Sequence, residues 1–319
     1  MAFITGSGTT IQFGKESGFA ISANPTTLIN HTNEGISVSV SKGDEGSLLA
    51  SKTPTSRDLL SIGVDGSISF ILRPEFAGLL FHLALGGSDN CTQIDESEWF
   101  QHSLYLCDVN QNLPSTTIII DRKAVVKKYP GCTISSLSLT CAAGDFVKGS
   151  IDLKGVKEET GSLNTSVPNF SIPSYKCISA TFSVGGSIFD ISSASLKIDN
   201  ALEESPKTYS SGLYSGQPQH GKRSVTLDFE IPYSSAIEDF KSNYLITENN
   251  TEVILTFASS ISDYKIEVII SNLSVNDVSA NIGGTGILTA SISGEALSVG
   301  DTEPIEVNIT DKTSTPYGE

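Results

Sequence analysis

From Gly66 the chain alternates: Ser67 and Ser69 fall between Ile68, Phe70 and Leu72. That is the two-residue period of a strand with one face buried. At Arg73-Pro74 the period changes. Pro74 suits the first turn of a helix. Phe76, Leu79, Leu80, His82, Leu83 and Leu85 follow at helical spacing, and Gly86 stands where such a helix would end. The predicted unit over 66–86 is a strand, a sharp corner and a short apolar helix. A second such unit runs from Ser224 to Tyr244. Val225, Leu227 and Phe229 alternate, Pro232 follows, and Ala236, Ile237, Phe240 and Tyr244 take helical spacing, with Ser234 or Ser235 as N-cap. The two units lie about half a chain apart, as in a duplicated sequence.

The remaining pattern repeats in the same order. Ile36–Val40 alternates and predicts a strand, and the polar stretch Lys42 to Asp65 reads as a long connection, of the kind that is usually a contact element. Gly87 to Gln101 reads as a loop holding Trp99. Strands are predicted at 102–107, 116–120, 123–129, 132–139 and 146–153, with Pro130-Gly131 as a turn. In the second half, strands are expected at 194–198, 252–257, 266–270, 273–275, 287–294 and 304–309. A second long connection runs from Asp199 to Arg223, and Gly283-Gly284-Thr285-Gly286 reads as a hairpin turn. The predicted class is mainly β: two tandem domains, each with one short α-helix, related by internal duplication. The predicted divisions are an extended N-terminal arm (1–34), a first domain (35–160), a linker (161–173), a second domain (174–310) and a polar tail (311–319).

Charge narrows the function. Among 319 residues, 20 Lys and Arg face 36 Asp and Glu, a net charge of −16. Such a chain repels phosphate backbones, which argues against sequence-specific nucleic-acid binding. No basic stretch followed by an apolar run opens the chain, and no apolar run has the length of a membrane span. Synthesis in a cytoplasm and no membrane partner are therefore expected. Cys91, Cys107, Cys132, Cys141 and Cys177 are odd in number and lack C-x-x-C spacing, so free thiols are expected. His31, His82, His102 and His220 have no metal-ligand spacing, and His82 lies on the apolar helix, where packing explains it. No nucleophile elbow or phosphate loop is present. No catalytic, metal or cofactor site is expected. Arg122, Lys123, Lys127 and Lys128 form a basic cluster that fits either an acidic patch on a neighbour or a strand edge guarded by lysines. The charge pairs Asp44-Glu45 and Glu203-Glu204 read as solvated surface. Trp99 reads as an anchor for its loop.

Several stretches together carry a resemblance. Gly14-Lys-Glu-Ser17, Gly66-Ser-Ile-Ser-Phe70, Pro74-Glu-Phe-Ala-Gly-Leu-Leu80, Leu113-Pro-Ser-Thr-Thr117, Tyr129-Pro-Gly-Cys-Thr-Ile-Ser-Ser-Leu-Ser-Leu139 and Lys197-Ile-Asp-Asn200 are similar to the tail tube proteins of long-tailed bacteriophages. The resemblance covers nearly the whole chain. It implies a tail-tube-type β-sandwich with one flanking helix, closed into rings whose inner wall is a β-barrel. Six copies of that fold make a ring in the family, so a chain carrying two would close as a trimer with pseudo-sixfold symmetry. The rings would stack into a hollow tube of the virion tail. Implied partners are further copies of the chain, tape-measure protein and viral DNA in the lumen, and tail terminator and baseplate or tip proteins at the ends. Ser37, Ser39, Ser67, Ser69, Lys197, Asp228 and Glu230 would line the lumen. Asp44, Glu45, Arg57, Asp58, Glu203, Glu204, Lys207 and Arg223, on the two long connections, would meet neighbouring subunits or rings. The competing reading is an acidic two-domain adhesin or surface-layer module, which would need a secretion signal.

Overall fold

The computed structural model describes all residues except 1–5, 7, 45–52, 54–55, 206–211, 261–262, 281–287, 301 and 319. Glu45, Lys207 and the Gly283–Gly286 stretch lie outside the described residues. The first half carries β1 (Thr10–Lys15), β2 (Thr27–Ile29), β3 (His31–Glu34), β4 (Ser37–Gly43), β5 (Asp58–Ile71), α1 (Pro74–Leu85), β6 (Gly86–Gln93), β7 (Phe100–Leu106), β8 (Thr116–Asp121), β9 (Val126–Ala142), β10 (Lys148–Gly155) and β11 (Glu159–Thr160). The second carries β12 (Ala180–Val184), β13 (Ser187–Ile188), β14 (Ser193–Asp199), β15 (Leu202–Glu203), β16 (Gln219–His220), β17 (Ser224–Pro232), α2 (Ser235–Phe240), β18 (Thr251–Ala258), β19 (Lys265–Ser279), β20 (Thr289–Ala296) and β21 (Glu306–Asp311). A π-helical turn, Lys241–Ile246, continues α2. The class is mainly β, as the alternation predicts.

One antiparallel sheet spans both halves in the order β4–β5–β10–β9–β14–β17–β20–β19, with β3 sharing the β5 edge. Its buried face is aligned by register: Ile68, Ile151, Leu137, Ile198 and Val225 form one row across five strands. The helices and a second layer cover this face. That layer holds β2–β1–β8 with the start of β9 on one side. On the other side β12–β18–β19 is followed by β21–β7–β6. The β14–β9 and β21–β7 ladders cross between the halves, so the two halves share one core.

Helix α1 follows its sequence signals closely. Pro74 stands at its start, Gly86 closes it with φ +75°, and the Gly86 N–H donates to His82. Every α1 residue except Glu75 is buried, so the helix is apolar all round because it is packed on all sides. Burial pushes the His82 imidazole down to about 4. In the second half Ser234 takes the N-cap position of α2 without a side-chain capping bond, and only Ile237 and Phe240 of that helix are buried.

Several expectations are corrected. The Pro130-Gly131 pair does not end a strand. β9 runs through it as a bulge, with Gly131 at φ +70°, and changes sheets there. The Gly131 N–H donates to Glu16 Oε1 at 2.9 Å. The same buried carboxylate accepts from the Ser115 and Thr117 hydroxyls at 2.6 Å each and from the Ala20 N–H at 3.0 Å. β19 likewise fuses two predicted strands into one. The N-terminal segment expected to be an arm enters the sheet from residue 10: β1 lies between β2 and β8, with Ile11 and Phe13 buried. The loop expected over 87–101 begins as β6, paired with β7. The 161–173 stretch is bound along its length. Asn164 exchanges bonds with Gln12, and Glu75 Oε1 accepts from the Ser171 and Ile172 N–H groups at 2.8 and 2.7 Å.

Asn200 joins the layers. It is fully buried. Its Nδ2 donates to Ala84 O at 2.9 Å and Ile134 O at 3.0 Å, and its backbone N–H donates to Ser135 O. Asn200→Ala is expected to cost about 2 kcal/mol by stranding two buried carbonyls. Asn200→Asp should cost more, because it sets carboxylate oxygens against carbonyl oxygens. Urea denaturation midpoints test the order wild type, Ala, Asp.

Candidate functional site

The shared sheet has one buried face and one polar face, because side chains alternate across it. Register places the polar face in rows. One row reads Ser69, Ser150, Ser138, Lys197, Thr226, Glu295 and Ser274; the next reads Lys148, Thr140, Ser195, Asp228, Ser293 and Asp277. A third holds Ser193, Glu230, Ser291 and Ser279, and a fourth holds Ser67, Asp152, Ser136 and Asp199. Hydroxyls dominate. The acids Asp152, Asp199, Asp228, Asp277, Glu230 and Glu295 outnumber Lys148 and Lys197, so the face is net negative.

Within the face the charges are partly paired. Lys197 Nζ lies 3.1 Å from Asp199 Oδ2, and Ser136 Oγ donates to Asp152 at 2.6 Å. Desolvation opposes the Asp199 carboxylate, yet the Ala201 N–H and Lys197 hold it below its ordinary range. An open trough of about 560 Å3 crosses the face between β9, β14, β17 and β20. Among the described residues no group of three or more His, Cys, Asp or Glu side chains could hold a metal ion.

The structure brings Ser67, Ser69, Lys197, Asp228 and Glu230 onto this one face. Ser37 and Ser39 continue it onto β4 through the Ser37–Asp65 and Ser39–Gly63 pairs. The sequence reading missed Ser136, Ser138, Thr140, Ser150, Ser195 and Ser293. The signal was present, since each alternates with an apolar residue that the structure buries: Leu137, Leu139, Cys141, Ile151, Leu196 and Ile292.

The Lys42–Asp65 connection proves to be largely strand. β4 and β5 pair from Ser37–Asp65 out to Gly43–Asp58, so they form a hairpin projecting from the sheet. Here alternation does not mark a core: Val38, Val40, Leu59 and Leu60 are all exposed, Leu60 by 57%. Asp44, Arg57 and Asp58 sit exposed at its end. On the other connection Glu203 and Glu204 are exposed, with Glu204 4.0 Å from Lys154. Arg223 turns inward and donates to the carbonyls of Leu85 and Cys107.

The basic cluster matches neither sequence-based alternative, because its partners lie in the same chain. Arg122 donates to Glu34 at 2.7 and 2.8 Å and to Ile36 O at 2.8 Å. The Arg122 guanidinium holds the Glu34 carboxyl below its usual range. Lys123, Lys127 and Lys128 pair with Asp121, Glu158 and Glu159. Trp99 packs edge-on against Tyr264 at 4.8 Å and lies under Lys312 at 4.9 Å, which ties its loop to the second half and the C-terminal segment.

Two edges of the shared sheet stand open. β3 and β4 pair only with β5, and the end of β19 beyond Leu273 pairs only with β20, among the described residues. Unpaired edges are templates for another strand. A family model described as "Phage tail tube protein" matches residues 6–296. No curated protein matches the chain.

Proposed function

This chain belongs to the phage tail tube protein family, whose members are structural parts of the virion tail, and on that premise we propose that three copies close head to tail into a ring and that such rings stack into the tube. The observation that carries the reading is the β9–β14 ladder. There the last inner strand of the first half pairs with the first inner strand of the second, from Ser136–Asp199 to Ala142–Ser193. The pairing order β5–β10–β9 in the first half recurs as β17–β20–β19 in the second. This recurrence supports an internal duplication. By the same rule the open end of β19 pairs with β3 and β4 of the next copy. Eight strand positions from each of three chains then make an inner barrel of twenty-four.

The polar face lines the lumen in this reading. Its hydroxyls and excess of carboxylates let tape-measure protein and then DNA pass without a grip on the phosphates. The β4–β5 hairpin and the 199–223 connection reach neighbouring rings, and terminator and baseplate or tip proteins close the ends.

Electron microscopy of the purified chain at high concentration, with rotational averaging of end-on views, tests the proposal. Hollow rings with three chains each are expected. Six chains per ring would overturn the closure described here. A chain that stays monomeric at every concentration would overturn self-assembly.

A further inference from the structure

The two halves match at their irregularities. The β8–β9 ladder slips between Thr116–Cys132 and Ile118–Tyr129, and the β18–β19 ladder slips between Thr251–Leu273 and Val253–Ile270. Each time the long strand advances three residues while its partner advances two. A second slip skips Ser135 between the Leu153–Ile134 and Asp152–Ser136 pairs. Its counterpart skips Asn276 between Val275–Gly294 and Asp277–Ser293. Bulges are fixed features of a strand, so these slips align Cys132 with Leu273 and Ile134 with Val275. Followed along the ladders, the same alignment sets Leu72 with Tyr233, Val147 with Leu288, and Ile11 of β1 with Phe182 of β12.

At one aligned place the halves differ. The Leu72 N–H donates to Val147 O at 2.9 Å, and the Tyr233 N–H donates to Leu288 O at 2.8 Å. A hydrogen-bonded antiparallel pair exchanges both bonds, but neither of these pairs returns the second one. In the first half Tyr175 enters the gap. Its N–H donates to Leu72 O at 3.1 Å, and its carbonyl accepts from the Val147 N–H at 3.0 Å. All three residues are fully buried. In the second half the Tyr233 carbonyl and the Leu288 N–H have no hydrogen-bond partner among the described residues, and Tyr233 is 37% exposed. Backbone groups at such a corner call for partners. Tyr175 lies on the segment that leads into β12, seven residues before Phe182. The aligned residue ahead of β1 is Ile4, seven before Ile11.

We propose that residues 1–5 of one copy fill the Tyr233–Leu288 gap of the adjacent copy, with Ile4 in the role of Tyr175. The proposal rests on the ring reading above. With β14 beside β9, the segment ahead of β12 falls on the Leu72–Val147 corner. With β4 of the next copy beside β19, the segment ahead of its β1 falls on the Tyr233–Leu288 corner in the same way. Two backbone hydrogen bonds and one apolar side chain then fasten each copy to its neighbour, in addition to the barrel ladder.

The test puts the photo-cross-linker p-benzoylphenylalanine in place of Ile4, assembles the full chain, confirms rings by electron microscopy and irradiates them. The expected result is covalent dimers and trimers on a denaturing gel, with mass spectrometry placing the link on a peptide that contains Tyr233 or Leu288. Ile4→Asp should raise the concentration needed for half-assembly by about tenfold or more and leave the melting of the monomer unchanged. Rings whose links stay within one chain, or reach other peptides, would overturn the proposal. So would Ile4→Asp assembling at the wild-type concentration. A wild-type chain that forms no rings would instead overturn the ring reading, and this proposal with it.

Discussion

A chain whose projecting hairpin has been cut back folds normally and builds no tube. Ser41 pairs with Ser61, so replacing residues 42–60 by Asn-Gly closes β4 and β5 with a two-residue turn. Every residue described in the excised stretch is exposed except Gly43, which is half-buried. The melting transition should therefore move by no more than about 0.5 kcal/mol. Assembly should fail completely. A two-stranded ribbon standing away from its sheet has little stability of its own. The excision removes the exposed Leu59 and Leu60, whose burial against another copy, at about 25 cal/mol per Å2, would be part of a ring-to-ring contact. Sedimentation velocity and electron microscopy of the truncated chain check this. Tubes of wild-type length would sink the role given to the hairpin, whereas a lost melting transition would fault only the splice.

Replacing His102 should be the most damaging single change to the fold. The ring is fully buried on β7. Its Nδ1 lies 3.0 Å from Asp89 Oδ1 on β6, and its Nε2 lies 2.9 Å from Thr313 O and 3.6 Å from Asp311 Oδ1. Tyr317 stacks on it at 4.6 Å and sits against Gly78 of α1, so the C-terminal segment is fastened across the helix through this cluster. His102→Ala leaves two buried carboxylates without their cation, at a cost of about 3–5 kcal/mol.

The same cluster sets an alkaline limit on stability. Desolvation works against the imidazolium, but Asp89, the Thr313 carbonyl and Asp311 together raise His102 above its ordinary 6.5. A group raised in the folded state stabilises fully below its unfolded pKa, and that share is lost as pH rises through the folded value. His82 acts in the opposite sense. Held near 4 by burial, it stays neutral in the folded chain, and its share of stability falls away as pH drops from 6.5 toward 4. The Tm of the wild type should therefore decline from neutral toward alkaline pH, and His102→Gln should flatten that decline. An unchanged alkaline slope in the variant would rule out the buried imidazolium.

Alternation by itself determined much of this protein. The period-two rows at 67–72, 194–198 and 225–229 set which side chains of each strand face the core and left Ser67, Ser69, Lys197, Asp228 and Glu230 on the polar side of their own strands, which the ladders of the structure then join into one face. Pro74 and Gly86 bounded α1, because the φ of proline and the left-handed freedom of glycine act within a few residues. Short residue stretches between Gly14 and Asn200 carried the family resemblance.

Other features depended on contacts far apart in sequence. Pro130-Gly131 reads as a turn until Glu16, more than a hundred residues away, accepts the Gly131 N–H and lets β9 continue into a second sheet. The strand at 36–40 looks half-buried along its length until its partner from Ser37 on is seen to be the start of β5 alone, which leaves 37–40 exposed on both faces while Ile36 stays in the core. The N-terminal segment has little pattern of its own because β1 takes its order from β8. The β9–β14 ladder joins parts that no local period relates. Local propensity acts over a turn or a strand, whereas strand partners, bulges and buried polar clusters are chosen by the packing of the whole chain.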